Sequence, residues 1–141
     1  MKQFEITLPI FKRGFHIVTE EILCQIDTLP KIGICSIFIK HTSAAITINE
    51  AADPSVLTDF ESSFNLLIPE NEPHYIHTYE GIDDMPAHLK TSILGNSLSI
   101  PIKSGNLKLG MWQGVYLCEH RNNASERNIT ATMNGEQFSS F

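Results

Sequence analysis

Apolar and polar residues alternate from the start of the chain. Phe4, Ile6 and Leu8 are interleaved with Gln3, Glu5 and Thr7, the period-two pattern of a strand with one buried face. Gly14 separates this run from Phe15-His16-Ile17-Val18, which predicts a hairpin or paired strands. Thr19 stands as an N-cap, with Glu20 and Glu21 in a helical first turn. Ile22, Leu23 and Ile26 give that helix its apolar face, and Leu29-Pro30 is expected to end it.

The run from Ile32 to His41 reads as a long strand, followed after a break by Ala45 to Ile48. Asp53-Pro54 is a helix start, with Asp53 as cap and Pro54 in the first turn. Val56, Leu57, Phe60, Phe64 and Leu67 then recur at helical spacing as one apolar stripe. Pro69 and Pro73 mark a loop. Another helix follows Asp83-Asp84-Met85-Pro86, where either aspartate can cap, and Gly95 stands at its C-terminal end. Leu98-Ile102, Leu107-Leu109, Val115-Leu117 and Ile129-Met133 read as further strands, with turns at Gly105-Asn106 and Asn134-Gly135. Residues 136–141 carry no organising pattern and are expected to form a flexible tail. Many short strands with two or three helices predict a single α+β domain over residues 1–141. Its sheet should be mostly antiparallel, a sandwich or half-barrel.

The 141 residues suffice for a real core. Cys24, Cys35 and Cys118 are widely spaced, with no C-x-x-C, which argues against a disulfide framework or structural zinc. No apolar run approaches the roughly 20 residues of a bilayer span. No signal-peptide h-region is visible at the N-terminus, so a cytoplasmic setting without membrane partners is expected. A net charge of −6 disfavours nucleic acid as a partner.

The distribution of charge says more than its sum. From His41 to Leu89 there is no Lys or Arg, yet the stretch holds Glu50, Asp53, Asp59, Glu61, Glu70, Glu72, Glu80, Asp83 and Asp84. His41, His74, His77 and His88 lie among them. A solvated acidic face explains several carboxylates. Carboxylate with imidazole is also the ligand set of a divalent cation.

The richest segment is His77-Thr78-Tyr79-Glu80-Gly81-Ile82-Asp83-Asp84. Two adjacent aspartates exceed what a helix cap requires. With Asp84 at the helix start, His88 lies one turn further on and His77 can reach the same place from the loop. Two or three imidazoles with one carboxylate would leave positions open for water or substrate; the alternative is a capped helix with surface histidines. His41 shares the apolar face of Cys35, Ile37 and Ile39, where a hydrogen-bonded structural histidine is the competing reading. Thr42 and Ser43 can donate to an anion or shape the turn after the strand. Asn49 either closes the turn before Asp53 or binds ligand. Glu119 shares the face of Val115 and Leu117, where a carboxylate needs a partner or a role. Arg121 and Arg127 are forked donors suited to phosphate or carboxylate.

Several blocks in order carry a family resemblance. They are His41-Thr42-Ser43-Ala44, Asn49-Glu50 with Asp53-Pro54 and Asp59-Phe60-Glu61, and His77-Thr78-Tyr79-Glu80-Gly81. The match continues through Asp83-Asp84-Met85-Pro86-Ala87-His88-Leu89-Lys90, Trp112-Gln113-Gly114 and Glu119-His120-Arg121. The sequence resembles the YjbQ family of secondary thiamine-phosphate synthases over nearly its whole length. It departs at Met111, where a Thr is expected, and in the tail after Glu136. The resemblance implies a β-rich α+β domain, a homotrimer with sites near subunit interfaces, and site residues at His41, Asp84, His88 and Glu119. It also implies a transferase joining a pyrimidine pyrophosphate to a thiazole phosphate, as a secondary activity beside another physiological reaction.

The resulting expectation is catalysis by His41, Asp84, His88 and Glu119, and substrate contacts from Thr42, Ser43, Asn49, Arg121 and Arg127. His41, His77 and His88 are expected to hold a divalent metal, Mg2+ or Zn2+. The alternatives are a metal-dependent hydrolase of a small phosphorylated substrate and a non-enzymatic trimeric ligand-binding protein.

Overall fold

The computed structural model describes residues 1–140. Among them the strands are β1 (Lys2–Leu8), β2 (Gly14–Ile17), β3 (Thr28–Ile39), β4 (Ala44–Glu50), β5 (Ser97–Lys103), β6 (Asn106–Leu107), β7 (Gln113–Glu119) and β8 (Arg127–Ser140). The helices are α1 (Thr19–Leu23), α2 (Pro54–Leu67) and α3 (Asp84–Leu94). All strand pairs are antiparallel, in a five-stranded sheet of order β1-β8-β3-β5-β6 and a three-stranded sheet of order β2-β7-β4. The fold is the expected α+β class, with a curled half-barrel sheet.

Period-two burial builds the main core. Ile6 and Leu8 on β1, Cys35, Ile37 and Ile39 on β3, and Ile129, Ala131 and Met133 on β8 turn inward. They meet Ala44, Ile46, Val115 and Leu117 from the small sheet. The other face of the small sheet is also covered: Phe15, Ala45, Tyr116 and Cys118 pack under Leu57, Phe60 and Phe64 of α2 and Leu94 of α3. β7 is therefore buried on both faces from Gly114 onward, which is why its sequence reads as a nearly continuous apolar run rather than an alternation.

Local signals held where the chemistry is local. The Asp53 carboxylate accepts the Ser55 backbone N–H at 2.9 Å, and Pro54 opens α2. Lys103 pairs with Asn106 around Ser104 and Gly105, both at positive φ, as a two-residue hairpin requires. Gly95 follows α3 at φ 107°.

Five expectations change. β1 and β2 do not form a hairpin: β1 pairs with β8, and β2 with β7. The helix after Thr19 stops at Leu23, and Leu29-Pro30 belongs to β3. Thr19 does not cap that helix; its hydroxyl accepts the Val115 N–H. Asn134-Gly135 is not a turn and the tail is not loose, because β8 runs on through Glu136 opposite Ile32 to Ser140 opposite Thr28. Glycine permits that continuation. Gly33 lies opposite Gly135, and a Cβ on Gly135 would sit 2.2 Å from the Ile32 carbonyl oxygen. Phe141 lies outside the described residues.

Candidate functional site

Neither Asp83 nor Asp84 makes a side-chain cap to α3; both carboxylates are spent on tertiary contacts. The Asp83 carboxylate accepts the Arg121 Nε–H and the Asn122 backbone N–H, each at 2.9 Å. Burial acts to raise its pKa, but the Asn122 and Arg121 donors outweigh burial and hold it below the usual range. Asp84, 1% exposed, receives Arg121 Nη1 on Oδ1 and faces two imidazoles with Oδ2. His77 Nε2 lies 2.8 Å from that oxygen and His88 Nε2 3.2 Å.

These ligand atoms of His77, Asp84 and His88 all lie within 4.8 Å of one another. The decisive detail is the other nitrogen of His88. His88 Nδ1 is 2.9 Å from the Thr42 carbonyl oxygen. A carbonyl can only accept, so Nδ1 carries a proton. In the neutral ring, Nε2 then presents a lone pair towards the Asp84 carboxylate. Two facing lone pairs repel unless a second proton or a cation lies between them. A ring whose far N–H is held by a backbone carbonyl is the usual state of a metal-binding histidine. The residues present therefore fit a divalent cation, held by two imidazoles and one carboxylate with positions left over.

His41 is not in that group. Its Nε2 accepts the Asn128 backbone N–H at 2.7 Å, and its Nδ1 faces Arg127 Nη1 at 3.3 Å. Burial, then the Arg127 charge, pull its pKa below the ordinary value. Asp84, rather than His41, is the residue whose ligand atom lies with those of His77 and His88.

Glu119 is fully buried, and its carboxylate receives Arg127 Nε and Nη2, each at 2.6 Å. Arg127 Nη2 also donates to the Ser43 hydroxyl at 3.1 Å. Arg121 is likewise occupied, by Asp83, Asp84 and the Glu80 carbonyl oxygen. The two guanidiniums expected to wait for phosphate instead clasp carboxylates. Asn49 is not brought to the cluster. It lies near the far end of β4, about 16 Å from Ala44 at the usual rise per residue, and its side chain turns back on the Glu50 N–H.

Beside the His77–Asp84–His88 group opens a cavity of about 630 Å3, lined by His41, Thr42, His88, Thr91, Ser92 and Asn96, with Gly95. Thr91, Ser92 and Asn96 escaped the sequence reading. The signal was available, since Thr91 and Ser92 follow His88 by three and four residues on one helical face.

Behind the site, His120 is 1% exposed and neither ring nitrogen has a partner among the described residues. Burial, reinforced by Lys90, Arg13 and Arg127, pushes its pKa from 6.5 down to about 3. The unfolded chain takes up a proton near pH 6.5 that the folded protein refuses until about pH 3. Stability is thus fully present above that window and is lost as pH falls through it, with His41 acting in the same direction. Urea unfolding across this range should show a flatter pH dependence for His120→Leu than for the parent protein. An unchanged slope would remove His120 as its source.

Fold and site together define a class: a β-rich α+β domain with a histidine–carboxylate group at the start of one helix, beside a polar cavity. The model of the YjbQ-like UPF0047 protein family matches residues 4–136, and the chain belongs to that family. It is 46% identical over 136 residues to the UPF0047 protein YjbQ of Escherichia coli O157:H7, covering 95% of this chain and 98% of that one. A UPF0047 protein of Synechocystis is 47% identical over 75% of this chain and 72% of its own length. Among solved structures, a hypothetical protein from Aeropyrum pernix K1 superposes with a TM-score of 0.81 at 28% identity, covering 96% of this chain and all of that one. A protein of unknown function from Sulfolobus solfataricus P2 gives 0.81 at 26% identity, covering 96% and 97%.

Proposed function

We propose that this protein is a divalent-cation-dependent enzyme acting on a small phosphorylated substrate. The reaction proposed is the transfer implied by the sequence resemblance, joining a pyrimidine pyrophosphate to a thiazole phosphate. The observation that carries the reading is the His88 ring, fixed by Thr42 so that Nε2 faces the same space as Asp84 Oδ2 and His77 Nε2. A bound cation would supply positive charge for phosphate oxygens and for the departing group. Arg121 orients the Asp84 carboxylate, the Thr42 carbonyl orients His88, and the Glu119–Arg127 pair sets the wall that carries His41 and Ser43.

One observation favours a second reading, hydrolysis of a single phosphate group. With Arg121 and Arg127 both spent on carboxylates, the site offers little counter-charge beyond the cation itself, and a monophosphate needs less than a pyrophosphate.

Assembly as a homotrimer belongs to the same proposal. It is supported by exposed apolar residues on the outer face of β3, Ile32, Ile34 and Phe38, and on the loop before α3, Ile76 and Tyr79. Among the described residues no helix is long and apolar enough to cross a membrane. A cytoplasmic setting is proposed on three cysteines that all stay free.

Cation-stripped protein reloaded with Mg2+, Mn2+ or Zn2+ and given both phosphorylated substrates tests the reading. A cation-dependent coupled product is expected in mass spectra. Phosphate release without coupling would favour the hydrolase. No turnover on a broader phosphorylated panel, with a cation that only raises the melting temperature, would leave a ligand-binding protein instead.

A further inference from the structure

Arg121 contributes no ligand atom to the His77–Asp84–His88 group, yet it decides which oxygens around that group stay free. Its guanidinium donates through Nη1 to Asp84 Oδ1, through Nε to Asp83 Oδ2 at 2.9 Å, and through Nη2 to the Glu80 carbonyl oxygen at 3.0 Å. It is anchored from the sheet side, since its own backbone N–H donates to Glu119 Oε2 at 3.2 Å. One side chain thus spans the first turn of α3 and the loop before it.

The neighbouring oxygens are engaged in the same way. Asp83 Oδ2 also accepts the Asn122 backbone N–H, and the Thr42 carbonyl oxygen accepts His88 Nδ1–H. The Glu80 carboxylate stays largely in water, 3.9 Å from Arg121 Nη1. Within the group itself, the atoms left facing one another are Asp84 Oδ2 and two imidazole Nε2 atoms.

That donor set discriminates between cations. Ca2+ takes six to eight oxygens and often both oxygens of one carboxylate, and its affinity follows the negative charge of its ligands. Mg2+ wants an octahedron of oxygens and gives up water reluctantly. Two imidazoles with one carboxylate oxygen suit Zn2+ and its first-row neighbours instead. Arg121 acts against the oxygen-seeking ions in two ways. It keeps Asp84 from chelating with both oxygens, and it offsets one of the two charges that Asp83 and Asp84 bring.

We propose that Arg121 is the selectivity residue of this group. By holding Asp84 to one free oxygen and by occupying the oxygens of Asp83 and Glu80, it makes the group accept a first-row transition ion such as Zn2+ and refuse Mg2+ and Ca2+. The inference rests on the cation dependence proposed above and adds the class of ion and the residue that sets it.

Calorimetric titration of chelator-cleared, full-length protein with Zn2+, Mg2+ and Ca2+ tests it, on the parent, Arg121→Gln, Arg121→Lys and His88→Ala. The parent should bind Zn2+ with a heat that His88→Ala removes, while Mg2+ and Ca2+ show no saturation in the millimolar range. Arg121→Gln frees Asp84 Oδ1 and restores negative charge, so Ca2+ or Mg2+ binding should become measurable. The ratio of zinc to calcium affinity should narrow by about 10-fold or more, the scale on which supports of metal ligands act. Arg121→Lys keeps the charge but cannot span three oxygens, and its ratio should fall between the two. A merely structural Arg121 would weaken every ion in parallel; an unchanged ratio in both variants overturns the proposal. So does a parent protein that binds Mg2+ or Ca2+ as tightly as Zn2+, a result that stands even where Arg121→Gln fails to fold. The two readings fail separately. Tight Zn2+ binding without turnover removes the proposed reaction and keeps the selectivity, whereas Mg2+-dependent turnover without zinc preference does the reverse. A protein that binds no cation loses both.

Discussion

Zinc titrated into the His88→Ala or Asp84→Asn protein should bind at least about 100-fold more weakly than to the parent. Loss of a residue that merely supports a metal ligand typically costs 10- to 100-fold, and these variants remove a ligand atom itself. Asp84→Asn keeps the volume of a side chain that is 1% exposed, so the fold should persist while the charge facing His77 and His88 is gone. His88→Ala also frees the Thr42 carbonyl, opening the wall between cation group and cavity. Turnover should fall with affinity in both. His41→Ala is the informative contrast: His41 bonds to Asn128 and Arg127 rather than to the cation group, so its removal should leave zinc affinity nearly intact. Calorimetry on the three variants decides the matter. Full affinity in His88→Ala would dismiss the assignment of ligands.

Arg127→Met is expected to cost about 3–5 kcal/mol of folding stability, because it strands the Glu119 carboxylate in the core. Glu119 is 0% exposed and Arg127 6%, and the pair is joined at two positions. For a chain of this length the loss corresponds to a melting-temperature drop on the order of 10 °C. The double variant Glu119→Gln/Arg127→Met removes both charges together and should recover most of that loss, since replacing a whole buried pair is often neutral. Thermal melts of the single and double variants carry the test. A drop below about 1 kcal/mol for Arg127→Met would mean that the pair behaves as a surface contact.

What the sequence made legible was local. Asp53-Pro54 announces a helix because cap and first turn lie within three residues, and Phe4, Ile6 and Leu8 announce a buried strand face because alternation is a short-range pattern. Asp84 and His88 stood out because i, i+4 spacing on a helix is itself a geometric statement. What stayed hidden depends on partners distant in the chain. The strand after Gly14 looked like the second arm of a hairpin, yet it pairs with β7, a hundred residues on. The tail had no pattern of its own because Gly33 and Ile32 of β3 set its course. Arg121 and Arg127 looked like free phosphate ligands because nothing local reveals the carboxylates that fold against them. Asn49 offered either a turn or a ligand contact, and nothing local shows that the strand Ala44–Glu50 carries it away from the cluster.

His77 reaches the cluster with Asp84 and His88 differently from its two companions. Asp84 and His88 are fixed by a helix, whereas His77 comes from a largely exposed stretch held by few backbone bonds, such as Tyr75 N–H to Glu72 and Gly81 N–H to Thr78. Such a segment can detach while the sheets and α3 stay intact. For a cation bound as proposed, two ligands would be set by the helix and the third would come from the loop. Holding that loop in place costs entropy, which would lower the affinity for a cation but would let it leave without global unfolding. A site of that construction would suit a cation exchanged with the surroundings better than one locked in for the life of the protein.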